Sequence, residues 1–392
     1  MLCFIMIKRS QSFANIGSES CFLWGPRQSG KSTLLKALFP ESPYYDLLLA
    51  GDYGRLSRHP SLLREETLSR MTDKASGATP IIVDEVQKIP ALLDEIQWLM
   101  VNHHCRFILC GSSARKLKRG GGNLLGGRSL RYELFPLTSH EIPDFDLIRA
   151  LNHGLLPRHY LAPNQAQCTK RLEAYVGEYL KEEISSEALV RNMPAFNRFL
   201  EAAAFSNGEM VNYENIASEC GISAPTVRGY FQILEDTLLG RFVESFRKRP
   251  KRRVIQAPKF YFFDVGLVNF LLRRTNVLPK TEIFGRAFEH FIYQELTAHR
   301  HYSGKEYPVQ YWRTASQYEV DFILGDGQVA LEVKGVEEVQ SHHLKGIRAF
   351  CEDHHPKRAI VVSLDKRPRQ LDRLEIIPVK SFLKMLWGGE II

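Results

Sequence analysis

The stretch Gly25-Pro26-Arg27-Gln28-Ser29-Gly30-Lys31-Ser32 decides the fold of the first part of the chain. It fits G-x-x-x-x-G-K-[ST], the pattern of a phosphate-cradling loop. An apolar run, Cys21-Phe22-Leu23-Trp24, precedes it, and a helix-forming run, Ser32-Thr33-Leu34-Leu35-Lys36-Ala37-Leu38, follows. Strand, loop and helix in that order are the context such a loop needs. Its glycines let the backbone wrap a phosphate, and successive N–H groups at a helix N-terminus supply positive potential. Residues Gly25 to Thr33 are therefore the expected nucleotide-binding segment, with Lys31 on the β- and γ-phosphates and Ser32 on Mg²⁺. The expected cofactors are ATP and Mg²⁺.

Downstream, Pro80-Ile81-Ile82-Val83-Asp84-Glu85-Val86 reads as a buried parallel strand ending in two carboxylates. Ligands of open α/β sheets sit at that strand edge. Asp84 is the expected partner of the metal shell, and Glu85 the residue that orients and polarises the attacking water. Ala91–Met100 has helical periodicity. Arg106–Ser113 repeats the buried-strand pattern and ends in hydroxyls, which makes Ser112 or Ser113 a candidate to sense the γ-phosphate or hold the water, with a plain turn as the other reading. Half of residues 119–128 are glycine, and the run ends in Arg128 before another strand, Leu130–Phe135. An arginine there can serve as a finger on a neighbouring subunit's nucleotide, which would require a homo-oligomer, or be a solvated charge.

With 392 residues the chain has room for two or three domains. The net charge of +8 favours a polyanionic partner. Seven scattered cysteines, an odd number without CxxC spacing, speak against a disulfide framework or a zinc site and fit a reducing, cytoplasmic setting. No apolar run reaches membrane-spanning length, so no membrane partner is expected. The apolar start Met1–Ile7 lacks a basic n-region and a small-residue cleavage site, and reads as a packed element.

Helical patterns fill the middle. Lys170–Ile184 is amphipathic. Asn212–Ser223 followed by Ala224–Leu234, with Gly221 at the bend and Pro225 in the first turn of the second helix, has helix-turn-helix form. Its base-facing positions would be Ala224, Thr226, Val227 and Arg228. The strand-like Gly240–Phe246 then leads into the basic run Arg247-Lys248-Arg249-Pro250-Lys251-Arg252-Arg253, which suits phosphate contacts. DNA is the partner this pattern suggests.

In the last third, Phe284–Leu296 reads as a helix carrying Glu289. Tyr318–Leu324 and Val329–Lys334 read as strands joined by the turn Gly325-Asp326-Gly327. Alternation puts Asp321 on one face of the first strand, and Glu332 with Lys334 on one face of the second. A hairpin can bring them together. Asp321 and Glu332 would then hold Mg²⁺, Glu289 would support them, and Lys334 would stabilise developing charge. Hairpin salt bridges are the structural alternative.

Taken together, the chain resembles the prokaryotic AAA-superfamily ATPases that carry a C-terminal domain of unknown function. The matching stretches are GPRQSGKST (25–33), IIVDEVQKIP (81–90), LCGSSARKL (109–117), GGRSLRYELFPLT (126–138), ISAPTVRGYFQILEDT (222–237), PKFYFFDVGL (258–267), GRAFEHFIYQEL (285–296) and YEVDFILGDGQVALEVKG (318–335). Cys110 departs from the small hydroxyl residue usual there. The resemblance implies an α/β chain of three parts. These are a P-loop AAA-type ATPase domain (1–150), a helical and winged-helix middle domain (151–255), and a C-terminal α/β restriction-endonuclease-like domain of the PD-(D/E)xK kind (256–392). The expected function is a Mg-dependent ATPase acting on or with DNA, with a candidate nuclease activity. The alternative is an ATP-dependent switch whose C-terminal domain binds a protein partner without cleavage.

Overall fold

The computed structural model describes residues 7–11, 19–71, 79–113, 125–180, 192–248 and 254–392. They form two compact units. One is Gln11–Phe135 with Asp236–Leu238; the other joins Met1–Ser10, Pro136–Glu235 and Leu239–Ile392. The sequence reading divides the chain near residues 150 and 255, whereas the first unit closes at Phe135 and the middle and C-terminal thirds are one body. The reason is a shared core: Phe260, Phe262, Leu267 and Val268 sit in one apolar cluster with Phe196, Phe199 and Phe231.

In the first unit, β1 (Ser20–Trp24), β2 (Tyr44–Asp46), β3 (Ile81–Asp84), β4 (Phe107–Gly111) and β5 (Ser129–Glu133) form one sheet in the order β2-β3-β4-β1-β5. Every pairing is parallel. β1, β3 and β4 are buried throughout, which explains their nearly continuous apolar sequence. Helices α1 (Lys31–Leu38), α2 (Ala50–Arg58), α3 (Ser61–Met71) and α4 (Leu92–His103) connect the strands. α4 buries Leu92, Leu93, Ile96 and Leu99, the stripe its helical spacing predicts. Because the strands run the same way, the chain leaves Trp24, Asp84 and Gly111 at one common edge.

The second unit begins with α5 (Leu147–His153) and α6 (Gln165–Ala174), and wider helical turns continue to Leu180. α7 (Met193–Phe205) and α8 (Tyr213–Cys220) follow. Gly221 caps α8 with a left-handed φ of 65°, and α9 (Ala224–Asp236) begins three residues later. Of the four base-facing candidates, Ala224 and Val227 are buried and lie in the same cluster as Phe231. Arg228 stacks over the Tyr213 ring at 4.9 Å. Their i, i+3, i+7 spacing with Phe231 is that of a core stripe, and Thr226, half-buried, shares a hydrogen bond with the Ser223 hydroxyl at 2.8 Å. The antiparallel β6 (Gly240–Val243) and β7 (Lys259–Phe262) flank the basic run. Residues 249–253 of that run, residues 1–6, 119–124 of the glycine stretch and 181–191 beyond α6 lie outside the described residues.

α10 (Val265–Leu271) and α11 (Glu282–Tyr302) precede a six-stranded sheet of order β12-β13-β11-β10-β9-β8. Its strands are β8 (Val309–Arg313), β9 (Glu319–Leu324), β10 (Val329–Lys334), β11 (Arg358–Ser363), β12 (Arg369–Leu371) and β13 (Leu374–Pro378). β9 and β10 are antiparallel, while β10–β11 and β11–β13 are parallel. The hairpin turn has positive φ at Gly325, Asp326 and Gly327. α11 is capped by Thr281, whose hydroxyl accepts from the Phe284 amide at 3.1 Å. It buries Phe284, Phe288, Phe291, Ile292 and Leu296. α12 (Lys345–His354) and α13 (Val379–Trp387) complete the unit.

Where this unit hands the chain to the first and takes it back, one buried carboxylate joins the two chain segments. Glu141 accepts from the Ser10 amide at 2.5 Å and the Thr138 amide at 3.0 Å, and Arg9 lies 3.1 Å away. Arg9 also donates to the Pro136 carbonyl at 3.2 Å.

Candidate functional site

The loop after β1 is held by β5, since the Leu134 amide donates to the Trp24 carbonyl at 2.7 Å. Gly30 ends the loop with φ 96° and starts α1. A side chain would strain that left-handed turn, which aims the free amides of the first helical turn at the sheet edge. Lys31 is buried, and its ammonium donates to the carbonyls of Gly25 (2.8 Å) and Pro26 (3.0 Å). The lysine therefore lies folded along its own loop, and must turn outward to meet a phosphate.

β3 delivers the acids to the same edge. The Ser32 hydroxyl donates to Asp84 Oδ2 at 2.6 Å, and the Tyr44 hydroxyl donates to the same oxygen at 2.5 Å. Asp84 Oδ1 is buried with no hydrogen-bond partner. Glu85 is also buried, in a left-handed conformation with φ 59°. Burial raises its carboxyl above the usual range, helped by the charge of Asp84 and opposed by Lys31, Arg27 and the amide of Gln87. Ser112 lies fully buried one residue past β4. Lys31, Ser32, Asp84, Glu85 and Ser112 thus lie at one edge of the sheet. Cys110 pairs across the sheet with Asp84, and burial together with that carboxylate keeps its thiol neutral.

Two residues of this edge escape the sequence reading. Tyr44 enters from β2, with its ring against Lys36 at 4.9 Å. Gln87 donates through Nε2 both to Glu85 Oε2 and to Ser112 Oγ, the latter at 3.2 Å. Its position inside the 81–90 stretch was the one available signal. Arg128 is exposed and immediately precedes Ser129, which pairs with Ser20 at the start of β1. The phosphate loop leaves the other end of that strand. Arg128 therefore cannot reach the nucleotide edge of its own sheet.

A second polar cluster lies in the other unit. Asp321 Oδ2 accepts from the Val333 amide at 2.7 Å, and Lys334 Nζ is 2.6 Å from Glu332 Oε1. Glu332 Oε2 is buried with no hydrogen-bond partner. Burial raises both the Asp321 and the Glu332 carboxyls. Glu289 adds to the shift of Asp321, and Asp321 to that of Glu332, while Lys334 opposes both. The hairpin does bring these groups together. Glu289, however, is engaged by Lys259 at 3.5 Å and by the Tyr261 hydroxyl. Lys259, 2% exposed, also lies 2.7 Å from Glu319. Its burial alone would lower its pKa, but Glu289, Glu319 and Asp321 raise it. Among the described residues, no group of three or more His, Cys, Asp or Glu side chains is placed to hold a metal ion. Asp321 and Glu332 remain as two hard oxygen donors, with Glu289 held by an internal cation. Lys259 was legible only as a lone cation opening an aromatic strand.

Residues 18–143 match a family model described as "AAA domain". Residues 144–277 and 284–382 match models described as "Domain of unknown function (DUF8612)" and "Domain of unknown function (DUF4143)". The parallel sheet, the phosphate loop and this match define the first unit as a P-loop domain of the AAA type. Uncharacterized proteins of Mycobacterium tuberculosis and Mycobacterium bovis are each 26% identical over 306 residues, covering 76% of this chain and 66% of theirs. The chain thus spans about two thirds of the length of those relatives. An uncharacterized protein of Haemophilus influenzae is 22% identical, with 92% of each chain covered. Among solved structures, the Aeropyrum pernix ORC1 protein in complex with DNA overlaps with a TM-score of 0.25 at 12% identity, over 65% of this chain and 86% of that one. A signal transduction ATPase with numerous domains from Pyrococcus horikoshii gives 0.22 at 14% identity, over 74% and 46%. Overlaps this loose bear on neither fold nor function. Among the described residues, no helix is long and apolar enough to cross a membrane.

Proposed function

We propose that the chain is a Mg-dependent ATPase that works on or with DNA. The observation that carries this reading is the meeting of Lys31, Ser32, Asp84 and Glu85 at one edge of a parallel sheet. Ser32 and Asp84 fit a magnesium ion: they are hard oxygen donors in contact, and Asp84 keeps a buried oxygen unused. When bound, the ion neutralises charge on the phosphate oxygens. The rest falls to the chain. Amides of the loop and the first turn of α1 bind phosphate, and Lys31 leaves its loop carbonyls to join them. Glu85 orients a water and accepts its proton, in a site whose burial keeps bulk water from competing. Lys31→Ala is expected to lower ATP turnover by about 100-fold or more, as losing a charge-stabilising donor does. Unchanged turnover would sink the assignment. For Arg128 the sheet polarity leaves only a role across two copies. Mixing Arg128→Ala with Lys31→Ala protein should then recover part of the turnover, and no recovery would remove the finger.

The basic run from Arg247 and the charge of +8 support DNA as the partner. Binding that weakens steeply with salt, and turnover that rises with DNA, are the expected results. Salt-independent binding would favour the protein-partner switch instead.

A second reading, metal-dependent cleavage of DNA by the C-terminal domain, is supported by the convergence of Asp321, Glu332 and Lys334 and by the unpartnered Glu332 oxygen. Asp321 and Glu332 would hold the metal, which would polarise a phosphoryl oxygen. Mg²⁺- or Mn²⁺-dependent nicking of supercoiled and branched DNA, lost in Asp321→Ala/Lys334→Ala, is the expected result. No nicking by wild type on any substrate would leave a binding domain.

A further inference from the structure

We infer that Gln87 is a positioning residue that ties the Glu85 carboxylate to the Ser112 hydroxyl, so that β4's end and the base are set together. The inference rests on Glu85 being the base of ATP hydrolysis. A short 3-10 turn, Val86–Lys88, follows β3, and the Lys88 amide donates to the Glu85 carbonyl at 2.9 Å. This turn is entered through the positive φ of Glu85, a conformation that a non-glycine residue keeps only where its surroundings demand it. The result is that Glu85 and Gln87 face each other across the turn.

Both N–H groups of one amide are then used within the site, one on Glu85 and one on Ser112. Gln87 is 4% exposed and Ser112 fully buried, so neither bond is weakened by water. The amide is also locked sterically. A Cβ at Gly111 would lie 2.4 Å from Gln87 Oε1 and 2.8 Å from the Trp24 ring, so Gln87 occupies the space that the bare Gly111 backbone provides. That amide oxygen is buried with no hydrogen-bond partner. A methionine would fill the same volume without an unsatisfied oxygen, so packing alone does not account for a glutamine here. Its two donated bonds do. A hydroxyl that accepts through oxygen donates through its hydrogen. A phosphoryl oxygen accepting a hydrogen bond from the Ser112 hydroxyl would orient its oxygen toward Gln87, and through Gln87 fix the carboxylate that handles the water.

Gln87→Met is the test, with ATP turnover, affinity for ADP and thermal unfolding measured on the full chain. We expect kcat to fall about 10- to 100-fold, the scale of a small misplacement of a reacting group. KM, ADP affinity and Tm should stay near wild type. Ser112→Ala should lower kcat, and the double variant Gln87→Met/Ser112→Ala should be no slower than the slower single variant, because both break one chain of contacts. Losses that multiply, or a fall in kcat matched by a fall in ADP affinity and Tm, would overturn the proposal. Wild-type kcat in Gln87→Met beside a crippled Glu85→Gln would overturn it alone. Wild-type kcat in Glu85→Gln would overturn the base assignment as well.

Discussion

Glu85→Gln is expected to bind MgATP as tightly as wild type and to hydrolyse it about 10²- to 10⁴-fold more slowly, the range of a lost general base. The substitution keeps the side chain's size and removes only its charge and basicity. Ser32, Tyr44 and Asp84 form a separate hydrogen-bonded set, so the oxygens suited to the metal stay in place. The Gln87 amide meets an amide oxygen instead of a carboxylate, a weaker bond in the same position. Affinity and turnover should thus separate, as they do when only a transition-state contact is lost. Equilibrium nucleotide binding and single-turnover hydrolysis measure the two. A variant that hydrolyses ATP at the wild-type rate would remove Glu85 from the chemistry.

Lys259→Met should destabilise the second unit by about 3 to 5 kcal/mol at neutral pH, as breaking a buried ion pair from one side does. The ammonium is 2.7 Å from Glu319 and 3.5 Å from Glu289, and without it Glu319 keeps Arg313 at 3.0 Å and the more distant charge of Lys334. The pH dependence follows from the shifts. Lys259 is raised, so its contribution is complete at neutral pH and is lost only as pH climbs above the ordinary lysine range. Glu319 is lowered, chiefly by Lys259 against the opposing effect of burial. Its contribution is present above the ordinary carboxylate value and fades as pH falls below it. The deficit of the variant should therefore be largest between about pH 6 and 9 and shrink toward pH 4. Urea unfolding across that range is the measurement. A deficit independent of pH would mean that Lys259 acts through packing alone.

The nucleotide edge was legible because it is local. A glycine-rich loop, one lysine and a strand ending in two acids are each written in under ten consecutive residues, and parallel strands bring them together without further information. Gln87 lies inside the 81–90 stretch, yet its contacts depend on a left-handed Glu85 and a bare Gly111, which no spacing reveals. Tyr44 comes from a short strand whose partner is set only when the sheet forms. In the second unit, alternation along the hairpin places Asp321 on one strand face and Glu332 with Lys334 on the next, and the fold brings these groups together. Alternation could not show that Glu289 was committed to Lys259 on β7, a strand of the separate two-stranded sheet. The helix-turn-helix form and its bend at Gly221 are readable, but Ala224 and Val227, two of the four expected base-facing positions, are buried with Phe231, a core stripe their spacing already describes.

The knot of bonds at Glu141 has a thermodynamic meaning for the second unit. That unit's chain departs at Ser10 and resumes at Pro136, and Glu141 and Arg9 hold the two points side by side. Seen from the second unit, everything from Gln11 to Phe135 is a closed loop that happens to fold. Closing a loop costs entropy that grows only with the logarithm of its length, about 0.6 kcal/mol per doubling. A whole nucleotide-binding sheet can therefore hang from this point for little more than the closure of a far shorter loop, and the Arg9–Glu141 pair is the stitch that closes it.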